Sequence, residues 1–445
     1  VILSTMPFFH DANEEIRDLN RYEKNVVYLT IFGAFFASFD FTIYFYFNDS
    51  INQAFFPENM PESLKSICFL LLILAGYMSR PLGGLILGDI GDRYGRKRVL
   101  LYSLLLVGAS SLVIACLPTY HHIGVAAIVL MLLLRLIQGF GYGAEVPASW
   151  VYIAEHMPRR QLGSVCGGLI SALILSTLMG NILSSTLSNM LTPTQMQSYG
   201  WRIPFVIASI GTLFAVLLRA KLEETPLWLM AKSENRLVKR LPIRRAIVKY
   251  RYGTVMTLGL SWFTASVYLT IYLLLPILGI QFFDIDTSLM MISNGVGIIF
   301  GGLGALTYGY FADRFNSGRV FTLGCIFLSI ASVVFFVSLK DSSELLLINY
   351  AILGFFSGVI GLVPSICVRL FPVGVRLSGI SFTYNLAYAL AGALLPVLLI
   401  YFSRKLMLSS ALYLVFVCVI GIIMGMLLTN LHGLYRMEDK RLMNS

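Results

Sequence analysis

Four ionisable residues, Asp40, Arg80, Arg135 and Glu145, lie within long apolar stretches of this sequence. The chain around them is 57% hydrophobic and only 13% charged, whereas soluble proteins carry about 25% charged residues. A charged side chain is costly inside a bilayer and usually serves the movement of an ion or a substrate. The chemistry open to these residues is proton transfer at the carboxyl groups and anion recognition at the guanidinium groups.

Asp40 is the first candidate for proton transfer. It lies between Phe39 and Phe41, with Tyr44 one helical turn further on. Apolar surroundings favour the neutral form of a carboxyl group, so Asp40 could take up and release a proton during transport. A fixed partner for an arginine inside the membrane would explain the same residue equally well. Glu145 is the second candidate for proton handling.

The two arginines are candidates for binding substrate charge. Arg135 stays charged inside a predicted helix, so it needs a counter-charge or an anionic ligand. Gln138 follows three residues later and shares its helix face. Arg80 precedes a proline and two glycines, which indicates a locally adapted backbone beside a cavity. The pair favours a carboxylate-bearing substrate, unless Asp40 and Glu145 neutralise both arginines or Arg135 only holds helices together.

Aromatic and amide residues complete the predicted cavity. Tyrosine stripes pack helices more often than they bind ligands, but an amide in mid-membrane needs a partner, which favours Asn385. The predicted proton-coupling residues are Asp40, Glu145 and Arg135, and the predicted substrate-binding residues are Arg80, Arg135, Tyr44, Gln138, Tyr268, Tyr384, Asn385 and Tyr388.

Motifs of other function classes are missing from the sequence. No GxxxxGK[ST] phosphate loop is present, so ATP-driven pumping by this chain is not expected. The five histidines have no metal-binding spacing, and no GxSxG nucleophile motif occurs. We therefore expect neither an enzyme nor a metal or cofactor, and we expect a proton gradient to supply the energy because buried carboxyl groups are present.

Twelve apolar runs are long enough to form spanning helices, which need about 20 residues each. The sequence thus predicts an all-α membrane protein with two six-helix bundles: an N-terminal segment (1–25), a first bundle (26–219), a polar central loop (220–252), a second bundle (253–432) and a tail (433–445). The runs are 26–47, 64–87, 99–117, 123–143, 163–187, 203–218, 254–280, 289–311, 320–339, 345–366, 377–402 and 411–431.

Lysine and arginine residues concentrate in the loops that follow even-numbered helices, as at Arg96, Arg159, Arg314 and Arg369. Such loops are cytoplasmic by the positive-inside rule, so both termini are predicted to lie in the cytoplasm. The net charge of +10 is then a topology signal, and no nucleic-acid partner is expected.

The most densely charged of these loops is GDIGDRYGRKR at residues 88–98. Charges at this density indicate a short loop between two membrane helices. A fainter version, GYFADRF, begins at Gly309, about half a chain length later. A loop repeated at that spacing is typical of transporters built from two similar halves.

These loops, together with Arg135 and Gln138-Gly139, resemble the signature motifs of the major facilitator superfamily. Further segments resemble its metabolite:proton symporter branch, which includes permeases for proline/betaine, shikimate, citrate and alpha-ketoglutarate: Phe39-Asp40-Phe41, Arg80-Pro81-Leu82-Gly83-Gly84, Leu222-Glu223-Glu224-Thr225-Pro226 and Tyr384-Asn385. The resemblance implies two six-helix bundles that give alternating access to a central cavity, and uptake of small carboxylates or zwitterions with protons.

The resemblance also implies a conformational latch at the cytoplasmic face, formed by Gly88, Asp92, Arg93, Gly95, Arg96, Asp313 and Arg314. Asp92 is expected to face the start of helix eleven, because a helix N-terminus attracts a carboxylate. Arg93 and Arg96 are expected to tie the latch to neighbouring loops. The second copy lacks its usual glycine-arginine pair, and Arg369 stands where an acid is common, so we expect the second latch to be eroded.

The hypothesis is a secondary active transporter that takes up a small organic acid or zwitterion with protons across a bacterial inner membrane, as a monomer. One alternative is a proton-driven exporter of a drug or metabolite. A second is a membrane receptor that kept the fold but does not transport.

Overall fold

A computed structural model describes residues 17–57, 59–238, 241–282, 285–341, 345–403 and 408–443. Residues 1–16 of the predicted N-terminal segment lie outside the described residues, as do Lys239 and Arg240 of the central loop and the last two residues of the tail.

Within these described ranges, twelve helices are long and apolar enough to cross a membrane. Each coincides with one predicted run, and no strand occurs within the described ranges, so the predicted all-α membrane fold is confirmed. The helices are α1 (Arg21–Tyr46), α2 (Ser63–Tyr94), α3 (Arg96–Ala115), α4 (Val125–His156), α5 (Arg159–Met190), α6 (Pro193–Arg219), α7 (Arg251–Phe282), α8 (Thr287–Arg314), α9 (Ser317–Leu339), α10 (Leu346–Cys367), α11 (Val373–Ser403) and α12 (Ser409–Thr429).

The predicted loop at residues 88–98 is mostly helical, which corrects the sequence interpretation. Helix α2 continues through its charged residues to Tyr94, and α3 begins at Arg96. The reversal is confined to Gly95, whose φ of 112° is in the region that favours glycine. Charged side chains extend a helix beyond the apolar run wherever they find partners, so hydropathy alone placed the end of α2 too early.

Small residues let the two bundles approach closely. Helix α5 of the first bundle crosses α8 of the second at Gly167, where the backbone lies against the carbonyl group of Ala305. Helix α2 crosses α11 where Gly88 lies against Ser378. Gly167 follows Gly163 and Gly88 follows Gly84 at a distance of four residues, a spacing that permits backbone contact between membrane helices.

The predicted polar central loop contains two short helices, Pro226–Ser233 and Pro242–Lys249. It docks on the end of the molecule where α2 ends and α11 begins, here named the latch end. Trp228 Nε1 donates to the Asp92 carbonyl oxygen at 3.0 Å. Glu224 accepts from the backbone N–H of Arg96 at 2.9 Å and so caps α3. This segment therefore belongs to the packed structure.

Two helices of the second bundle depart from regular α-helical winding beside the interior. Helix α7 contains a π-helical segment, Leu269–Leu274, and α10 contains a 3₁₀ segment, Gly358–Leu362. The Tyr272 hydroxyl and Ser357 Oγ are 2.5 Å apart and join the two regions. Irregular backbone at membrane depth is tolerated where it is buried in protein or lines a cavity, so these segments indicate where a site is formed.

Glycine packing within the first bundle leads to a stability prediction. A Cβ added at Gly139 on α4 would collide with the backbone carbonyl group of Gly76 on α2, whereas one added at Gly168 would meet nothing closer than 3.9 Å. We expect Gly139→Ala to destabilise the bundle by about 1–3 kcal/mol through overpacking. Gly168→Ala should be neutral or stabilising by up to about 1 kcal/mol, because alanine favours helix.

Thermal unfolding of the purified protein in detergent, followed by tryptophan fluorescence, measures both effects. A midpoint for Gly139→Ala at or above that of Gly168→Ala would contradict the close α2–α4 contact.

Candidate functional site

A cavity lies between the two bundles, with about 480 Å³ free of protein atoms including its opening. Four of the residues predicted to bind substrate line it: Arg80, Tyr268, Tyr384 and Tyr388. The wall is completed by residues that the sequence did not single out as ligand-binding: Ser38, Phe41, Thr42, Tyr77, Tyr142, Trp150, Ile170, Leu173, Ile174, Thr264 and Ile360.

Arg80 is 1% exposed and forms the polar centre of the cavity. Its Nε donates to Asn385 Oδ1 at 3.2 Å, across the contact between α2 and α11. Its Nη2 has no hydrogen-bond partner, and no carboxylate forms an ion pair with it, within the described part of the chain. Aromatic rings surround the guanidinium carbon, with centroids at 4.5 Å (Tyr388), 4.9 Å (Tyr142), 5.3 Å (Tyr384), 5.4 Å (Phe41) and 5.5 Å (Tyr77).

This environment keeps the cation buried without neutralising it. Each ring face attracts a cation by roughly 0.5–2 kcal/mol, more when the pair is desolvated. Such contacts leave the guanidinium N–H groups able to bind an acceptor, and one of them is free in the wall of the cavity. Arg80 can therefore receive a carboxylate oxygen from a ligand.

Asp40 lies in a separate buried network behind the cavity wall. One carboxylate oxygen accepts from Ser111 Oγ, and the other accepts from Gln138 Nε2 at 2.5 Å. The amide oxygen of Gln138 accepts from Arg135 Nη1 at 2.8 Å. The side chains of Asp40 and Arg135 are thus linked through one amide group, and no direct ion pair joins them among the described contacts.

The structure places Arg135, Gln138 and Tyr44 in this network and outside the cavity wall, although the sequence predicted direct substrate binding by all three. The Arg135 guanidinium carbon lies 3.7 Å from the Tyr44 ring centroid and 4.4 Å from that of Phe41. Arg135 Nε and Nη2 have no acceptor within the described residues. The sequence analysis missed Ser111, whose only signal is a hydroxyl group within an apolar run.

Glu145 also lies outside the cavity wall, and its partner is a residue that the sequence analysis overlooked. It forms an ion pair with Arg219 on α6 at 2.6 Å and accepts from Ser103 Oγ at 2.7 Å. Arg219 follows the end of an apolar run, a position typical of a loop residue exposed to water. Glu145 is therefore neutralised without Arg80 or Arg135, contrary to one alternative considered from sequence.

These pairings leave an excess of positive charge in the membrane interior. Among the described residues, Arg80 and Arg135 are opposed there by Asp40 alone, once Glu145 and Arg219 are paired. Their guanidinium carbons are no more than about 9.8 Å apart, because both lie close to the Phe41 centroid. At that distance two cations repel by roughly 1–2 kcal/mol for an effective dielectric constant of about 20. The cluster carries +1 when Asp40 is ionised and +2 when it is protonated.

The first latch has the geometry that the resemblance implied. The fully buried Asp92 carboxylate accepts from the backbone N–H groups of Leu377 at 3.2 Å and Ser378 at 2.8 Å, at the start of α11. Arg96 pairs with Asp92 at 3.1 Å and with Glu155 at 3.1 Å. A buried carboxylate at a helix N-terminus gains from both hydrogen bonds and the helix dipole, so these contacts hold α2 against α11.

Arg93 does not take part in that network. It pairs at 2.7 Å with Asp89, one turn earlier in its own helix. The inter-loop connection expected of Arg93 is made by Arg376, which pairs with Glu155 at 2.9 Å.

The second latch is formed, which corrects the expectation that it is eroded. Asp313 accepts from the backbone N–H groups of Gly163 at 2.6 Å and Ser164 at 2.7 Å, at the start of α5. A helix N-terminus needs only a carboxylate, so loss of the motif's glycine-arginine pair leaves this contact intact. Arg314 lies over the exposed Tyr310 ring, while Arg369 supplies positive charge that acts on Asp313.

Comparison with known proteins identifies the family. Residues 30–396 match the model of the Major Facilitator Superfamily. The chain belongs to this superfamily. A protein of Staphylococcus aureus (strain COL), named as a candidate proline/betaine transporter, is 32% identical over 93% of this chain and 89% of its own. The proline/betaine transporter of Escherichia coli (strain K12) is 28% identical over 87% of this chain and 79% of its own.

Solved structures show the same fold. A proton:xylose symporter bound to a bromodeoxyglucose superposes with a TM-score of 0.75 at 17% identity, covering 92% of this chain and 95% of the symporter. Its inward-open form superposes with a TM-score of 0.63 at 16% identity. The chain is a secondary transporter of small molecules and not an enzyme, and proton-coupled symport is favoured over the exporter and receptor alternatives.

The latch contacts lead to a prediction on conformation. Loss of a hydrogen-bonded charge is worth about 1.5–3 kcal/mol, so Asp92→Asn and Asp313→Asn should each lower the ratio of closed to open molecules by about 10- to 150-fold. Asp89→Asn is the matched control, because Asp89 pairs only within α2. Spin labels on cysteines introduced at the exposed Tyr94 and Phe315 positions would report the distance between bundles by electron resonance.

For that measurement Cys68 and Cys116, which are not buried, are first replaced by serine. An unchanged distance distribution in both latch variants, or an equal change in Asp89→Asn, would show that the carboxylates do not hold the end closed.

Proposed function

We propose that this transporter is a proton-coupled symporter that takes up a small carboxylate-bearing metabolite, an organic acid or a zwitterion. The observation that carries the proposal is Arg80: a buried guanidinium group in the cavity wall, with a free N–H group and no carboxylate partner among the described residues. Asp40, in the network behind that wall, is the proposed proton carrier.

The charge of the buried cluster couples the two ligands. The cluster carries +1 when Asp40 is ionised and the cavity is empty, and it returns to +1 when Asp40 is protonated and a monocarboxylate binds Arg80. Protonation of Asp40 alone raises the charge to +2, which is costly in a medium of low dielectric constant, whereas a carboxylate bound beside Arg80 offsets the added charge. Proton and carboxylate are therefore expected to bind and leave together.

A zwitterion fits the same site. Its carboxylate would lie beside Arg80, and its cationic nitrogen would face the aromatic rings of Trp150 and Tyr268, which also line the cavity. Ring faces stabilise such cations, strongly so where they are desolvated. Proline and betaine both combine a carboxylate with a positively charged nitrogen, so the names of the two relatives support this substrate class.

The remaining expectations complete the proposal. The latch end faces the cytoplasm of a bacterial cell, with the protein in the inner membrane and both termini on that side. The protein acts as a monomer and needs no cofactor besides the proton gradient. The cavity and both latches lie within one chain, which supports the monomer.

Asp40→Asn tests proton coupling. Asparagine does not take up a proton at the pH of the assay. A pH gradient should therefore no longer drive accumulation of proline or glycine betaine above the outside concentration. Exchange between labelled and unlabelled substrate should persist. Proteoliposomes permit both measurements. Glu145→Gln is the comparison, since the ion pair with Arg219 gives it a structural role: it should lower thermal stability and keep the remaining uptake dependent on the pH gradient. Full accumulation in Asp40→Asn would refute the role of Asp40.

Arg80→Lys tests carboxylate recognition. Lysine keeps the charge but loses the planar donor set that binds Asn385 and a carboxylate together. Loss of one charged hydrogen bond should raise KM by about 10- to 150-fold. Arg202→Lys is the control, since Arg202 also lies over an aromatic ring, Trp201 at 4.3 Å, but outside the cavity. Equal KM values for Arg80→Lys and the unchanged protein would show that Arg80 does not bind the substrate.

A further inference from the structure

The Phe41 ring separates the substrate cavity from the Asp40 network. It is 3% exposed and forms part of the cavity wall. The guanidinium carbon of Arg80 lies 5.4 Å from its centroid, and that of Arg135 lies 4.4 Å from it. One ring therefore contacts the cation proposed to bind substrate and the cation linked to the proposed proton carrier.

Neighbouring side chains fix this ring in place. Phe41 stacks on Tyr142 with centroids 4.5 Å apart and an interplanar angle of 11°, and it meets Tyr77 edge-on at 5.0 Å. Asp40 precedes it in α1, and successive helical side chains point about 100° apart. The same helical turn thus directs a carboxylate into the network and a ring into the cavity wall.

Unsatisfied donors lie close to this ring. Arg80 Nη2 has no acceptor in the described structure, and neither have Arg135 Nε and Nη2. Water or a carboxylate that passed the ring would find free N–H groups at Arg135, and Asp40 would lie one amide group further on. The charged or titratable side chains acting on Asp40 include Arg135 on α4 and Tyr44 on α1.

We propose that Phe41 is a positioning residue that couples proton exchange to substrate binding. Its ring closes the path between water in the cavity and the Asp40 carboxyl group. Asp40 then exchanges its proton only after the substrate carboxylate has bound Arg80 and moved the rings around it. The proton passes from water to an Asp40 oxygen and later returns to water on the other side. This inference rests on the proposed function, because it assigns Asp40 as the carrier.

The test measures proton movement without any substrate. Proteoliposomes holding a pH-sensitive dye are given a potassium diffusion potential, and acidification is followed for the unchanged protein, Phe41→Ala, Phe41→Leu and Phe39→Ala. Phe39 is equally buried on α1 but does not line the cavity, so it controls for lost packing. Opening a water path to a buried carboxyl group should raise the leak about tenfold or more in Phe41→Ala alone. Phe41→Leu, which keeps most of the volume, should stay close to the unchanged protein.

A second substitution shows whether the leak passes through Asp40. Phe41→Ala combined with Asp40→Asn should return the leak to the background, whereas a leak caused by loose packing would persist. The inference is overturned if Phe41→Ala is as tight as the unchanged protein, if Phe39→Ala leaks equally, or if the double variant still leaks. A separate outcome distinguishes the two proposals. If the unchanged protein moves neither proline nor glycine betaine with protons, but the proton leak still depends on Phe41 and Asp40, the proposed function is refuted and the role of Phe41 as a barrier is retained.

Discussion

The structure depends on an imbalance of buried charge: apart from the paired Glu145 and Arg219, two guanidinium groups share the interior of the described bundles with one carboxyl group. Arg80 and Arg135 would be expelled from such an interior if they were merely buried, because the desolvation cost of an ion is several kcal/mol. Aromatic faces and single amide groups stabilise them without cancelling their charge. The positive potential that remains favours an anionic group in the cavity, and it grows when Asp40 takes up a proton.

The same interaction, a carboxylate bound at a helix N-terminus, joins the two bundles in both latches. Asp92 binds the start of α11 and Asp313 binds the start of α5, each through two consecutive backbone N–H groups. These contacts use no side chain of the partner helix except the Ser164 hydroxyl. They therefore tolerate substitution around them, which explains how the second copy of the motif lost its arginine but kept its function in the fold. Arg369, in the turn between α10 and α11, supplies positive charge that acts on Asp313.

The sequence was sufficient to predict the twelve helices and the two arginines, because apolar runs and isolated charges are local signals. It could not reveal partners. Gln138 was found from its spacing to Arg135, but Ser111 and Arg219 come from other helices, and their sequence context was that of ordinary hydroxyl and loop residues. The cavity wall was predicted only in part for the same reason. The sequence around Phe41 and Trp150 does not distinguish them from other aromatic residues of membrane helices, and only helix packing shows that they line the cavity. The conformation of the latch loop was predicted wrongly, since charge density does not distinguish a loop from a capped helix end.

The proposed substrate site and the first latch lie on the same two helices, which would connect substrate binding to opening of the latch end. Helix α2 carries both Arg80 and Asp92, and α11 carries both Asn385 and the N–H groups that Asp92 binds. The two contacts lie twelve residues apart on α2, about 18 Å along the helix axis. In the proposed mechanism, a carboxylate at the free Nη2 of Arg80 would lie beside the Nε contact with Asn385, so substrate binding and the α2–α11 interface would share one side chain. Asn385 also donates to the Gly143 carbonyl on α4, the helix that bears Arg135 and Gln138. In the proposed mechanism, substrate at Arg80 and the proton at Asp40 would thus act on one set of helix contacts, and rigid helices would carry the change to the latch end.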